Sequence, residues 1–148
     1  MAGTKKDDLY KNAKVFFANE FKSAINVIQY DDRNEGKIIG KGFFYIETKK
    51  TLMLTPLLYK WNVYFTVQVE CKDDKYRYTL YDFDIKQSIY DTPSNEMTFD
   101  IAYSKANKGA YHTIFTNLIN ESSDSFKSVI SSLSNYMSSK ANLVNNDF

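Results

Sequence analysis

Twelve consecutive residues, 61–72, alternate strictly between apolar and polar side chains. The apolar set is Trp61, Val63, Phe65, Val67, Val69 and Cys71, and the polar set is Asn62, Tyr64, Thr66, Gln68, Glu70 and Lys72. Side chains of a β-strand point alternately to opposite faces, so this period of two predicts a strand with one buried face. Such a strand is typical of an antiparallel sheet that is covered on one side only.

The neighbouring segments predict the other strands of this sheet. Residues 25–32 and 37–48 have strand patterns and are joined by a polar turn. Residues 75–85 form the next strand pattern after a tight turn of two aspartates. The apolar positions change phase after Asp82, which predicts a β-bulge near residues 81–82.

Two glycines mark the second predicted strand. Gly40 and Gly42 fall on the same face, where we expect a bend or the close approach of a helix. The run from Gly36 to Gly42 is not a P-loop, because its glycine spacing is one residue short and a strand pattern follows it.

Two segments have the spacing of amphipathic helices. Residues 6–23 repeat apolar side chains every three or four positions, with Thr4 as the expected N-cap. A second helical pattern covers residues 110–140, with a break around residues 121–124 as an option. Between the sheet and this helix, residues 97–103 are expected to form one more short strand.

A helix, consecutive strands and a last helix, in that order, are typical of a segregated α+β fold. We therefore expect a twisted antiparallel sheet of four to six strands, with the N-terminal helix and the long C-terminal helix packed on one face. A chain of 148 residues has the usual size of one domain. We expect a single domain over residues 1–148 whose ends, residues 1–4 and 142–148, are frayed.

The composition argues against several classes of protein. The chain has 19 basic and 18 acidic residues, so it lacks the basic excess of nucleic-acid binders, and no nucleic-acid partner is expected. The single Cys71 excludes an internal disulfide, and we expect a buried, unreactive thiol. No apolar run approaches the roughly 18 residues of a transmembrane helix. The first residues lack the apolar stretch of a signal peptide.

The residue types that enzymes use are scarce. His112 is the only histidine and is expected at a helix start, so it indicates a surface or capping residue rather than a catalytic dyad. The carboxylate pairs at 31–32 and 73–74 fall in predicted turns, where Asp bonds to the local backbone. Asp82 and Asp84 are weak candidates for a specific role. We expect no enzyme activity, no metal site and no cofactor.

Arg77 is the polar residue with the clearest potential for binding. It is expected on the sheet face opposite the core, where Lys41 and Tyr64 on neighbouring strands would complete an aromatic and cationic patch. Such a patch suits an anionic group or a peptide. The alternative, which we favour, is a cross-strand pair between Arg77 and Glu70 that only solvates the exposed face.

Residues 50–60 link the second and third predicted strands and are unusually apolar for a loop. Such a connection either folds back over the core as a lid, which we expect, or exposes an apolar patch. In the second case, Leu54, Leu57 and Leu58 belong to a surface that binds a partner.

Four segments occur together in the first half of the chain. They are DLYKNAK with FF at 8–14 and 16–17, VIQYDD at 27–32, GKIIGKG at 36–42 and KYRY at 75–78. This combination resembles a bacterial domain family of unknown function, found largely in exported proteins of Bacteroidetes, with a fold like that of the TATA-box-binding protein. The resemblance covers residues 6–85, and the C-terminal half is similar only in ending with a helix.

The resemblance implies a TBP-like fold and a periplasmic or extracellular location, and it assigns no catalytic residues. It does not imply DNA binding, because function depends on the site rather than on the fold. Family members resemble one another in having a signal peptide and a short strand before the first helix. This chain begins almost at that helix, so we expect the edge strand to be reduced or missing.

Two functions follow as hypotheses. The first is a non-enzymatic binding module of an exported bacterial protein, with a protein, a peptide or a small molecule as its partner. The alternative is a carrier that holds a small apolar ligand between the C-terminal helix and the sheet. The carrier hypothesis predicts a pocket of roughly 300 Å³ or more at that place.

Overall fold

The computed structural model of the chain places the strictly alternating segment in the last two thirds of one long strand. The structure describes residues 3–21, 27–52, 54–88, 95–107 and 112–139. The elements follow in the order α1 (Lys6–Glu20), β1 (Ile28–Asp32), β2 (Lys37–Leu52), β3 (Thr55–Lys72), β4 (Lys75–Ser88), β5 (Asn95–Met97), α2 (Phe99–Ala106) and α3 (His112–Ser138).

The strands form one antiparallel, five-stranded sheet in the order β1-β2-β3-β4-β5. At one edge, β1 pairs with β2 from Ile28 opposite Gly40 to Asp32 opposite Lys37. At the other edge, β5 pairs antiparallel with β4. The predicted fold class is therefore confirmed, with an N-terminal helix, an antiparallel sheet of the expected strand number and a long C-terminal helix.

The segment at residues 50–60 is mostly strand, so its prediction as a loop is wrong. β2 continues to Leu52 and β3 begins at Thr55, which leaves a short turn between them. The sequence hides this hairpin because apolar residues there occupy consecutive positions instead of every second one. At the other predicted irregularity, Asp82 has a positive φ of 53°, where the phase change predicted a bulge.

The C-terminal half differs from the sequence expectation in two places. The extra short strand exists as β5 but ends at Met97, and residues 99–103 are helical, because the hydroxyl of Thr98 accepts a bond from the N–H of Ile101 and caps the start of α2. Residues 121–124 do not break α3, which runs without interruption from His112 to Ser138. Three of those four residues are exposed, so their polarity is compatible with a continuous helix.

The start of α1 is held by a distant turn rather than by a local cap. The N-cap residue is Lys5, which makes no side-chain cap bond, so the prediction of Thr4 as N-cap is wrong. The backbone N–H groups of Thr4 and Lys6 donate to the Oδ1 atoms of Asp74 and Asp73, each at 2.8 Å. These carboxylates satisfy donors that a helix start leaves open, and they lie at the positive end of the helix dipole.

The described residues divide into two compact units. Those within Met1–Gly42, Thr66–Tyr81 and Ser128–Phe148 form unit 1, and those within Phe43–Phe65 and Asp82–Lys127 form unit 2. The expectation of a single domain stays a prediction. Fraying was expected at residues 1–4 and 142–148. Residues 1–2 and 142–148 lie outside the described residues, and Thr4 is held by Asp74.

In unit 1, the apolar stripe of α1 is buried. Phe16 and Phe17 are almost completely inaccessible, and the ring of Phe16 packs edge-on against Tyr136 of α3, with 6.1 Å between the centroids. A Cβ atom on Gly40 would lie 2.5 Å from Cε1 of Phe17. The absence of a side chain at Gly40 therefore allows α1 to lie close to β2, as the glycine pattern predicted.

In unit 2, α2 and the first half of α3 cover one face of the sheet. The buried cluster consists of Ile46, Trp61, Val63, Ile85, Ala102, Ala106, Ile114, Phe115 and Leu118. Because side chains alternate along a strand, the intervening residues of β2 and β3 lie on the opposite face. That opposite face carries the site described next.

Candidate interaction surface

Three aromatic side chains lie on the open face of the sheet in unit 2, and we call Phe43, Tyr45 and Tyr64 the aromatic face. The inward position of Ile46 places its odd-numbered neighbours in β2 outward, and the inward position of Trp61 does the same for Tyr64 in β3. Phe43 is 40% exposed and Tyr45 is 49% exposed. β2 therefore presents two aromatic rings to solvent, and Tyr64 in β3 is partly exposed beside them.

The rings of the aromatic face are ordered by contacts with their neighbours. Phe43 and Tyr64 lie with centroids 5.5 Å apart and planes tilted by 35°. The hydroxyl of Tyr45 donates to Oε1 of Glu47 at 2.8 Å. Burial raises the pKa of Tyr45, and the bond to the Glu47 carboxylate raises it further, so this phenol stays neutral at ordinary pH.

A lysine adds positive charge beside the rings. The Nζ atom of Lys86 lies 5.3 Å from the centroid of Tyr64, within the range of a cation–π contact. The same Nζ atom lies 3.9 Å from Oδ2 of Asp84. The surface thus combines apolar ring area with charged groups at its margin, which is the composition of many protein interfaces.

The structure places the residues of the predicted cationic patch in both units. Tyr64 belongs to the aromatic face of unit 2, with Phe43 and Lys86 as its neighbours. Lys41, which is exposed, and Arg77 belong to unit 1. The interpretation of Lys41, Tyr64 and Arg77 as one binding patch stays a prediction.

Arg77 forms the cross-strand pair that we favoured. Its Nε and Nη2 atoms lie 2.8 Å and 2.7 Å from Oε2 of Glu70. The bond from Arg77 holds the pKa of Glu70 below its ordinary value. Both residues line a surface groove of about 300 Å³ together with Lys72, Lys75 and Tyr76.

The leucines of residues 50–60 are exposed where the structure describes them. Leu54 is 96% exposed at the turn between β2 and β3, and Leu58 is 42% exposed in β3. The expectation of a lid over the core is therefore wrong for these two side chains. The side chain of Leu57 lies outside the described part of the chain.

The sequence interpretation missed Phe43 and Tyr45. A signal was available, because Gly40 and Gly42 were assigned to one face of the strand, and a continued period of two puts residues 43 and 45 on the other. Phe43, Phe44 and Tyr45 are all aromatic, however, so hydrophobicity alone does not distinguish the outward side chains from the inward one.

The residues considered for chemistry are buried or make local contacts. Cys71 is buried, as predicted, and burial raises the pKa of its thiol to about 12, which disfavours the reactive thiolate. Nδ1 of His112, at the first turn of α3, contacts the carbonyl oxygen of Ala106 at the end of α2. Within the described ranges, no three or more His, Cys, Asp or Glu side chains are grouped so that they could hold a metal ion.

A family model connects this fold with known sequences. The model, described as a domain of unknown function (DUF4468) with TBP-like fold, matches residues 1–86. The chain belongs to the DUF4468 family. Family membership confirms both the resemblance noted in the sequence and the TBP-like fold. No curated protein matches the chain.

Two solved structures are similar to this DUF4468 chain. A DUF4468 family protein from Bacteroides ovatus ATCC 8483 has 18% identity and a TM-score of 0.58, over 88% of this chain and 80% of that chain. A TBP-like protein from Parabacteroides distasonis ATCC 8503 has 11% identity and a TM-score of 0.55, over 91% and 88% respectively. At such identities the likeness shows the fold alone. None of the described helices is both long and apolar enough to cross a membrane.

Proposed function

We propose that this DUF4468 chain is a non-enzymatic binding module whose aromatic face binds a protein or peptide partner. The observation that carries the proposal is the exposure of Phe43 and Tyr45 beside Tyr64 on the sheet face that α2 and α3 do not cover. Aromatic side chains supply large contact areas at interfaces and dominate their binding energy. The family resemblance implies export, so we expect the partner outside the cytoplasm.

The absence of an enzymatic role is part of the proposal, and the surroundings of the candidate residues support it. Arg77 is paired with Glu70, Asp84 lies beside Lys86, and His112 contacts a backbone carbonyl. Each of these groups already has a partner that explains its position.

The carrier hypothesis has less support than the binding module. In unit 2, the ring of Phe126 on α3 packs edge-on against Phe44, Phe65 and Phe83, with centroids 4.8 Å, 5.3 Å and 5.1 Å away. Rings at these distances are in direct contact. A ligand between α3 and the sheet would have to displace them.

Selection of peptides from a displayed random library against the folded chain tests the binding module. The selected peptides should bind the wild type and lose affinity for Phe43→Ser and Tyr64→Ser. An aromatic residue at the centre of an interface contributes about 2 kcal/mol, so we expect the Kd to rise about thirtyfold.

Tyr103→Ser is the matched control, because Tyr103 is 62% exposed on α2 and lies outside the aromatic face. This variant should bind the selected peptides as the wild type does. Thermal unfolding of each variant separates lost binding from lost folding. Peptides that bind folded Phe43→Ser and Tyr64→Ser with unchanged Kd would contradict the proposal.

A further inference from the structure

The turn between β2 and β3 carries an apolar side chain in an unfavourable place. Leu54 has a φ of 69° and is 96% exposed. Left-handed backbone is normally occupied by Gly, Asn or Asp in such turns, because a bulky side chain is disfavoured there. Exposure of the apolar leucine side chain to water is also unfavourable in free energy. Both effects act against Leu54 in the isolated chain, and a partner that buries its side chain would remove the second of them.

A second exposed leucine lies next to the turn. Leu58 follows in β3 and is 42% exposed. We call Leu54 and Leu58 the apolar tip. The two side chains give the β2–β3 hairpin an apolar end.

Most of the charges near the apolar tip are positive. Lysines stand at positions 49, 50 and 60, and the nearest acidic residue in the sequence, Glu47, accepts a hydrogen bond from the hydroxyl of Tyr45. Lys49 and Lys60 are exposed. An apolar end with lysine side chains near it is complementary to a bilayer that has acyl chains inside and anionic phosphates outside.

We propose that the apolar tip docks the protein on the surface of an anionic lipid bilayer. Leu54 and Leu58 enter the boundary between headgroups and acyl chains, and Lys49 and Lys60 bind lipid phosphates. The hairpin does not span the bilayer, and the rest of the sheet stays in water. The aromatic face is not needed for this docking, so the proposal is independent of peptide binding.

Sedimentation of the full chain with lipid vesicles tests the docking. Vesicles of phosphatidylcholine mixed with phosphatidylglycerol should bind the protein, and vesicles of phosphatidylcholine alone should bind it much more weakly. Leu54→Gly should weaken binding about tenfold, because it removes a buried side chain. The double variant Lys49→Gln with Lys60→Gln should lose about thirtyfold on the anionic vesicles and bind both vesicle types alike.

The variants are chosen to keep the fold. Glycine readily adopts the φ of 69° at position 54, so Leu54→Gly should unfold no earlier than the wild type. Ile101→Ser is the matched control, because Ile101 is 47% exposed on α2 and belongs to no part of the apolar tip. It should bind vesicles as the wild type does.

Three outcomes would overturn the proposal. The first is a wild-type chain that binds neither kind of vesicle, and the second is a folded Leu54→Gly variant that binds as well as the wild type. The third is a dimer in solution that Leu54→Gly dissolves, since the apolar tip would then be covered by a second copy of the chain. Analytical ultracentrifugation of both proteins without lipid detects this dimer.

Discussion

At the scale of single residues, Gly40 is the position where a small change should have a large effect. A Cβ atom there would lie 2.5 Å and 2.8 Å from Cε1 and Cδ1 of Phe17 and 3.0 Å from the carbonyl oxygen of Val27. Phe17 is buried, so its ring has little room to move. Overpacking of this kind costs about 1–3 kcal/mol. Gly40→Ala should lower the free energy of unfolding by that amount, measured by urea denaturation.

The neighbouring position supplies the control for Gly40. Lys41 is exposed in the same strand, so Lys41→Ala should change the free energy of unfolding by no more than about 0.5 kcal/mol. Equal stability of Gly40→Ala and the wild type would mean that Phe17 moves aside freely. Close packing of α1 on β2 would then not depend on the glycine.

The pair of Arg77 and Glu70 makes a prediction about pH. The bond from Arg77 lowers the pKa of Glu70 in the folded protein. The pair therefore stabilises the fold above the pKa of the unfolded carboxyl, and this contribution is lost as the pH falls through the folded pKa. In Arg77→Gln, the pKa of Glu70 should rise towards its ordinary value, measured by NMR titration of the side-chain carboxyl carbon.

Lys75→Gln is the control for Arg77→Gln. It tests whether the pKa of Glu70 is lowered by the bond from Arg77 or by nearby positive charge in general. Lys75 lines the same groove as Glu70, but the bond that lowers the pKa of Glu70 comes from Arg77. The pKa of Glu70 should therefore stay nearly unchanged in this variant. A similar shift in both variants would show that the overall charge of the groove, rather than the bond, sets the pKa.

At the scale of elements, the β2–β3 hairpin is linked in the interior of unit 2 by a polar bond. Nε1 of Trp61 donates to Oγ1 of Thr48 at 3.1 Å, and both residues are buried. Thr48→Val keeps the shape but removes the acceptor, which leaves the indole N–H unsatisfied. We expect a loss of about 1–3 kcal/mol in the free energy of unfolding.

The indole signal distinguishes the lost bond at Thr48 from a packing defect. Trp61 is the only tryptophan of the chain, so its indole N–H gives one NMR resonance. Thr48→Ser loses a methyl group but keeps the acceptor, so this resonance should stay near its wild-type position. In Thr48→Val it should move upfield. An unmoved resonance in Thr48→Val would mean that the bond does not hold the indole.

The elements that were predicted correctly have one face towards the core and a different environment on the opposite face. β3 could be located from sequence because Trp61, Val63 and Phe65 face the core while their neighbours face the other side. The hairpin at residues 50–60 was mistaken for a loop because its apolar residues do not alternate. The apolar tip and the aromatic face could not be located from sequence for the same reason. Whether Leu54 or Phe43 is exposed is decided by its position in the sheet and not by its residue type.

At the scale of the whole molecule, the two units share their main elements. β2, β3, β4 and α3 each contribute residues to both, so neither unit contains a complete set of its own strands and helices. Small domains whose elements are interdependent unfold in one cooperative step. We therefore predict a single unfolding transition, in agreement with the expectation of one domain over the chain.

Two unique residues allow this prediction to be tested without labels or mutations. Trp61 belongs to unit 2 and Cys71 to unit 1, and each is the only residue of its type. Burial raises the pKa of the Cys71 thiol to about 12, so the folded protein holds almost no thiolate for a thiol reagent to attack. Along a urea series, the Trp61 fluorescence change and the onset of Cys71 reactivity should have the same midpoint. A Cys71 that reacts in urea concentrations where the Trp61 fluorescence is still native would show that unit 1 opens by itself, and the chain would then contain two folding units.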